Sequence, residues 1–484
     1  MKKKSTYTAG VILINALIFA GIAITVTIGL TNWGATVLKT TRTLSAREQA
    51  FQLAEAGIEY YRWHLAHAAT DYTDGTGVPG PYFHNVTDAD GNVIGQYELT
   101  ITPPPIGSTI VKVKSKGVLA SDATITRSIQ ATLAIPSLAK FAVVANNDMR
   151  FGVGTEIFGP VHSNGGVRFE GVAHNIVTSS KTTYDDPDVS GTQQKFGVYT
   201  TINPADPNPP ALPPYRPDVF MADRQFPVQS FDFAGLTFDL AQMKADAQAN
   251  GRYVAASGSQ GYRIVLKDTN LFDLYRVNSL RSAPNGCTNS ANQTGWGTWS
   301  INTQGNSQTL LSSNQLFPTN GIIFVEDHVW VEGEIDGARL TIAAGRFPDN
   351  ASTRRSITIN KNLLYNSYNG TDVLALIAQD NVNIGLVSDD TFRIDAALIA
   401  QNGRVGRYYY SSNCQLDSIN YYNRNTVTLF GMLATNQRYG FAYTNGTGYN
   451  VRNITYDTNL LYGPPPSFPL TSSQYQTISW QEVQ

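Results

Sequence analysis

Cysteine is scarce in this chain: Cys287 and Cys414 are the only two among 484 residues. No Cys-x-x-Cys redox or metal pattern is therefore present, and an even count permits one disulfide, Cys287–Cys414, closing a loop of more than a hundred residues. Net charge of one sign is also missing. The formal charge is −2, so no global basic field exists to hold nucleic acid, and none is expected as a partner. Gly-x-Ser-x-Gly and P-loop patterns are absent, which leaves those nucleophile and nucleotide chemistries without a motif. Lys and Glu are sparse, whereas Tyr, Asn, Thr, Ser and Gly are abundant. That balance is common in exported β-rich proteins, and the length suits two to four domains.

A further absence is local. No charged residue lies between Lys4 and Lys39. The apolar core "AGVILINALIFAGIAITVTIGL", Ala9 to Leu30, includes Val11, Ile14, Asn15, Leu17, Phe19, Ile22 and Leu30. It matches the roughly 20 residues that span a bilayer and exceeds the 7–15 of a cleaved secretory signal. No break follows it. Residues 40–68 contain no Pro and one glycine, Gly57. Leu44, Phe51, Ala54, Ile58, Tyr61 and Leu65 fall on one helical stripe, with Arg47, Glu48, Glu55 and Arg62 elsewhere. The span and the amphipathic stretch thus read as one helix from Val11 to Ala68, roughly 85 Å long at about 1.5 Å per residue.

After the helix the pattern changes to period two. "GQYELTIT", "TIVKVKSKGVL" and "ATITRSIQATLAI" predict three antiparallel strands between Gly95 and Pro136 that cover the helical stripe. From Asn146 short β pieces alternate with Gly or Asn turns. The same rhythm returns in "GIIFVEDHVWVEGEIDGARLTIAAG", "DVLALIAQDNVNIG" and "FRIDAALIAQNGRVG". A parallel β-helix is expected, with an antiparallel sandwich as the alternative.

Two stretches carry a family resemblance. Gly10 before Val11-Ile12-Leu13-Ile14-Asn15, behind Lys2, Lys3 and Lys4, resembles a prepilin peptidase site. "AFQLAEAGIEYY", Ala50 to Tyr61, is similar to the A-F-x-A-A-E-A-G signature of PilX-type minor pilins and related pseudopilins. Tyr456, Asp457, Pro465, Pro466, Phe468, Pro469, Trp480 and Glu482 resemble more loosely the C-terminal part of large pilus-assembly proteins. The first resemblance implies processing between Gly10 and Val11 by a prepilin peptidase. It also implies insertion in the inner membrane as a single-pass precursor with a cytoplasmic N-terminus, packing against other pilins or pseudopilins through the helix, and later residence on a pilus or cell surface. Major pilins carry Glu at the position that falls on Asn15 here. That carboxylate neutralises a neighbour's terminal amine, so its loss points to a minor or tip subunit.

The expected architecture is an α+β pilin module, with a long N-terminal helix and an antiparallel sheet, followed by a mainly β solenoid. Its boundaries are a leader at 1–10, the helix at 11–68 with its membrane span at 11–30, and the small head at 69–136. Then come a first solenoid segment at 137–177, an insertion with a Pro-rich connector and short helix at 178–320, the main solenoid at 321–440 and a C-terminal strap at 441–484 anchored by Trp480. The β domain is expected to bind a glycan or another surface ligand. The competing reading is a membrane-anchored enzyme acting on polysaccharide. Its carboxylates would come from Asp185, Asp186, Asp188, Asp389, Asp390, Glu332 and Glu334, of which the aspartates also suit turns. No catalytic residue or cofactor is assigned. The Asp-rich turns leave room for structural calcium, and His64 with His67, at i and i+3, read as exposed helix residues and not as half a metal site.

Overall fold

The computed structural model describes residues 7–233, 239–416 and 418–483. Lys2, Lys3 and Lys4 of the leader, Phe238 before the short helix, and Gln484 lie outside the described residues. The chain divides into two units, one built from 1–103, 111–134 and 474–484, the other from 104–110 and 135–473.

The first unit begins with α1, Tyr7–His67, a single uninterrupted helix of 61 residues. Its C-terminal half buries Ala50, Leu53, Ala54, Ile58, Tyr61 and Leu65. They meet an antiparallel sheet of β1 (Tyr82–Thr87), β2 (Val93–Thr102), β3 (Val111–Leu119) and β4 (Thr126–Ala134). Alternate residues of β3, from Val111 and Val113 onward, turn inward, as a sheet with one covered face requires. The approach of helix to sheet is close. A Cβ on Gly117 would lie 1.9 Å from the Ala50 carbonyl oxygen, and one on Gly57 would lie 2.3 Å from Ser115 Oγ. Leu44, placed on the covered stripe by its spacing, is 59% exposed. The sheet's cover begins a turn and a half later, at Ala50, so Leu44 has nothing to pack on.

The outer strand of this sheet is Gln476–Val483, paired antiparallel to β4 with Trp480 opposite Ala131. The expected strap at 441–484 is therefore corrected at both ends. Gly448–Tyr456 is a strand of the second unit, and the tail is a ladder strand, held by backbone hydrogen bonds. Trp480 is 46% exposed and meets the Phe51 ring edge-on at 5.8 Å, so it caps the sheet surface without being a buried anchor.

The second unit is a three-faced parallel solenoid, as the turn rhythm predicts. On one face Ile323, Ile342, Leu376, Leu398, Leu433, Val143, Val161 and Val177 stack in register, all at most 1% exposed. On another, Leu363, Ile394, Leu429, Ile454, Ile157 and Ala173 do the same. Each column is a dry ladder of branched side chains at the strand spacing of about 4.8 Å.

The rung order is not the chain order. Residues 143–179, earliest in sequence, stack after Leu433, so the two solenoid segments form one continuous core. An asparagine ladder at one corner runs across this junction. Asn164 Nδ2 donates to Asn146 Oδ1 at 2.9 Å, Asn146 Nδ2 to Asn436 Oδ1 at 2.8 Å, and Asn436 Nδ2 to the Asn402 carbonyl at 3.4 Å.

The segment 178–320 is likewise more than an insertion. Val198–Tyr199 and Arg224–Gln225 extend the stack at one end, and Arg252–Val254 with Gly261–Lys267 head it at the other. The Pro-rich stretch between them is tied down by charge instead of an apolar core. Asp206, its carboxylate fully buried, faces Arg216 at 3.8 Å and pairs with Arg224 Nη1, while accepting from the Thr200 amide at 3.0 Å. Helix α2, Leu240–Asn250, is capped by Asp239, which accepts from the Gln242 amide at 2.8 Å, and ends at Gly251. Its Leu240, Met243 and Ala247 cover the outer side of the Ile322–Val325 strand. Near the C-terminus, Asp457 caps a 3-10 turn and Phe468 is buried, so part of the second resemblance maps to packing and capping.

Candidate functional site

Two features carry chemistry. The first is the N-terminal half of α1. Val11, Ile14, Leu17, Phe19, Ile22 and Leu30 are between 55% and 73% exposed, and Asn15 is exposed among them. Long apolar side chains with no cover need an apolar medium or other helices. Thr25, Thr27, Thr31 and Thr36 in this half present no free hydroxyl proton to that medium. Thr25 Oγ1 donates to the Gly21 carbonyl, Thr27 to Ala23 and Thr36 to Asn32, each at 2.8 Å. Such back-bonding lowers the cost of placing a hydroxyl in lipid. α1 is long and apolar enough to cross a bilayer, and a Cβ on Gly10 would meet nothing within 4 Å.

The second is a cleft of about 1130 Å³ in the solenoid. It opens where one face of the stack is broken. Val329, Ile357, Val382 and Val405 pair rung to rung, and Gly406 bridges Gly440. The next rung, Met149–Phe151, belongs to a separate three-stranded sheet with Val167–Phe169 and Val198–Tyr199. Arg438 and Arg150 lie on the two sides of the break, and Asp188 joins them. Asp188 takes Arg150 Nη1 at 3.1 Å and Arg438 Nη1 at 3.2 Å. Glu170 takes Arg150 Nη2 at 2.9 Å and Arg168 Nη2 at 2.5 Å. Burial opposes ionisation of both acids, yet the Thr201 hydroxyl with Arg168 and Arg150 at Glu170, and Arg438 with Arg150 at Asp188, hold each carboxyl below its usual range.

The opposite wall is the loop from Ala291 to Gly295. Cys287 and Cys414 form a disulfide that ties this loop to the segment after Tyr410, with Cα atoms 4.5 Å apart. Gln293 accepts from the Tyr409 amide at 2.7 Å and donates to Tyr443 Oη at 2.7 Å. Trp296 Nε1 donates to the Tyr409 carbonyl at 2.8 Å.

Four of the seven carboxylates that a polysaccharide-cleaving enzyme would use are engaged elsewhere. Asp186 accepts from Tyr199 Oη, Asp389 pairs with Lys361 at 2.6 Å, Asp390 faces Arg424 at 3.6 Å, and Glu332 takes Arg263 Nε at 3.0 Å. Asp185 ends a strand of a small hairpin, and Glu334 sits on the Val329–Ile335 strand. Only Asp188 reaches the cleft. His64 contacts Asp71 at 3.0 Å and His67 the Trp63 carbonyl at 2.9 Å, so the i, i+3 pair splits between partners. Among the described residues no group of three or more His, Cys, Asp and Glu gathers into a metal-sized cluster.

Behind the cleft, Ser356 links two titrating groups. Its amide donates to His328 Nδ1 at 3.1 Å, and its hydroxyl donates to Asp380 Oδ2 at 3.2 Å. Burial, with the Arg355 guanidinium alongside, holds the His328 imidazole down at about 4. A histidine neutral in the fold but free to ionise when unfolded stabilises fully above about pH 6.5. As pH falls through 6.5 toward 4 the unfolded state takes the proton first, and on the order of 2–3 kcal/mol is lost. Asp380, pushed up by burial, acts in the opposite direction. His328→Asn is therefore the discriminating variant: urea unfolding at pH 7 and pH 4.5 should differ less for it than for the parent. Equal pH dependence would remove His328 as the cause.

A long, half-exposed helix on a small antiparallel sheet, joined in one chain to a parallel β-solenoid, defines an α+β module followed by a mainly β domain. No family model matches the sequence, and no curated protein does. Among solved structures, the competence-associated pilin ComZ from Thermus thermophilus is similar at 14% identity, covering 90% of this chain and 98% of that one, with a TM-score of 0.29. An ice binding protein from an Antarctic Biological Consortium is similar at 10% identity, covering 67% of this chain and 91% of that one, with a TM-score of 0.28. Superpositions this loose carry no argument about what the chain does.

Proposed function

We propose that this chain is a minor pilin-like subunit, PilX-type at its N-terminus, that enters a type IV pilus or pseudopilus and carries the β-solenoid for surface adhesion. The supporting observation is α1 itself. One continuous helix is bare and apolar over its first half and sheet-covered over its second. A secretory signal has no use for the continuation, and a simple anchor has no use for the fusion of span and sheet.

In this reading the precursor sits in the inner membrane with its N-terminus in the cytoplasm, and a prepilin peptidase cuts between Gly10 and Val11. Asn15 offers no carboxylate to a neighbour's terminal amine, which suits low copy number and a place at the fibre tip. The ion pairs made by Asp186, Asp188, Asp389, Asp390 and Glu332 favour a binding role for the solenoid over cleavage of polysaccharide.

Mass spectrometry of the mature N-terminus tests the processing. The expected first residue is Val11. Gly10→Val should leave the precursor uncut, because a β-branched side chain crowds a pocket that accepts glycine. An intact Met1 in assembled material would refute the reading. Immunogold label should mark fibre ends, and even decoration along the shaft at major-subunit stoichiometry would exclude the tip.

A further inference from the structure

We propose that the solenoid cleft binds a carboxylate-bearing oligosaccharide, an acidic glycan, with Arg404 as the receptor for its carboxylate. This deepens the adhesion reading and draws its biological sense from it, but the binding is measurable whatever the fate of the N-terminus.

The inference starts from charge. Four arginines line the cleft. Arg150 and Arg438 are neutralised by Glu170 and Asp188. Arg452 spends its guanidinium on the carbonyls of Tyr449, Asn450 and Gly152 and on Thr155. Arg404 differs. Its guanidinium stacks 4.8 Å over the Tyr408 ring, donates to the Arg407 carbonyl at 3.0 Å, and reaches Tyr443 Oη at 3.4 Å. It has no carboxylate partner among the described residues. Asp380, the remaining carboxyl of the lining, is bonded by the Ser356 hydroxyl at 3.2 Å and by Asn381 Nδ2 at 2.7 Å and not by Arg404. The result is a fixed, planar cation with its charge unspent, the geometry that receives a carboxylate in bidentate fashion.

The rest of the lining selects the class of acid. Asn147, Thr294 and Gln437 supply amides and a hydroxyl suited to vicinal sugar hydroxyls, and Tyr439, Phe441 and Tyr443 supply rings on which a sugar face can rest. One unspent guanidinium is too little for a phosphate or a nucleic-acid backbone, which call for several converging cations. The volume exceeds the ~300–1,000 Å³ of small-molecule sites, so the occupant is extended. The disulfide-tied loop and the Gln293 bonds hold the wall in place before binding, which limits the ordering cost.

The test is calorimetry on the full chain in detergent, with α-1,4-hexagalacturonate as probe. Maltohexaose serves as the neutral comparator and a 12-nucleotide single strand as the non-sugar polyanion. Hexagalacturonate should bind one per chain. Arg404→Met, which keeps an unbranched side chain but removes the guanidinium over Tyr408, should weaken it at least tenfold, and Arg404→Lys should restore part of the loss. Arg276→Met, an exposed position on the Leu271–Val277 strand outside the cleft, should change nothing. The proposal is overturned by absence of uronate binding, by equal affinity for maltohexaose, by tighter binding of the oligonucleotide, or by wild-type affinity in Arg404→Met. If Arg404→Met fails to fold by its melting curve, the parent protein decides through salt. Affinity must drop between about 20 and 300 mM salt, and salt-independent binding overturns the assignment.

Discussion

Cys287→Ser is expected to destabilise the solenoid by up to about 5 kcal/mol, the loop-closure value for a bridge of this span. The sulfurs join residues 127 apart in sequence, so the unfolded chain gains a large loop's worth of freedom when the bridge is lost. The local consequence is as specific as the global one. Around the bridge Leu386, Tyr408, Tyr410 and Cys414 are buried, with Trp296 and Trp299 packed against them. Freed, the loop loses its covalent tether and is left to the hydrogen bonds of Gln293 and Trp296. Melting with and without reductant, read beside tryptophan fluorescence, checks this. An unchanged melting temperature together with an unchanged spectrum would show that the bridge carries no load.

Gly117→Ala is expected to cost the first unit about 3 kcal/mol or more, the upper range of overpacking. The added carbon would meet the backbone of α1 at Ala50 and at the Ala54 amide, 2.7 Å away. A side chain can rotate aside, but a helix backbone can only move as a whole. That motion would lift Ala54, Ile58 and Tyr61 from the sheet, each at most 2% exposed now. Hydrogen exchange across residues 50–65 should rise. Gly34→Ala, with open space around its Cβ, is the control and should stabilise the helix slightly. Equal stability of the two variants would mean that α1 does not rest on β3.

Much of the first unit was legible because its signals are local. The absence of charge to Lys39, the absence of Pro to Ala68 and the 3.6-residue stripe all act within one element. The strands between Gly95 and Ile135 were legible by alternation for the same reason. Leu44 misled because periodicity reports a face of the helix but not how far the sheet extends under it. The strand Gln476–Val483 was hidden by its context: a Pro-rich approach reads as irregular, and its partner β4 lies more than three hundred residues earlier.

The cleft was not legible at all. Its members run from Asn147 to Arg452, and no spacing rule joins them. One signal was available. The Asn of "AQNG", "ATNQ", "ANND" and "HSNG" at residues 402, 436, 146 and 164 marks equivalent corners, and it would have aligned the rungs, though not their order.

By itself the sequence determined that a bilayer-length apolar helix runs on into an amphipathic one, that a small sheet covers the latter, and that short turn-punctuated strands make up the rest. Those are consequences of residue type at fixed local periods. Only the tertiary structure decided that rungs 143–179 follow rung 433, that the C-terminal strand returns to β4, and that Arg404 keeps an unspent charge beside a broken face. Rungs of Ile, Val, Leu and Ala are nearly interchangeable in their burial, so local energy does not rank their stacking. The order is set by which edges remain unpaired once every other backbone group is satisfied, a condition that belongs to the whole stack.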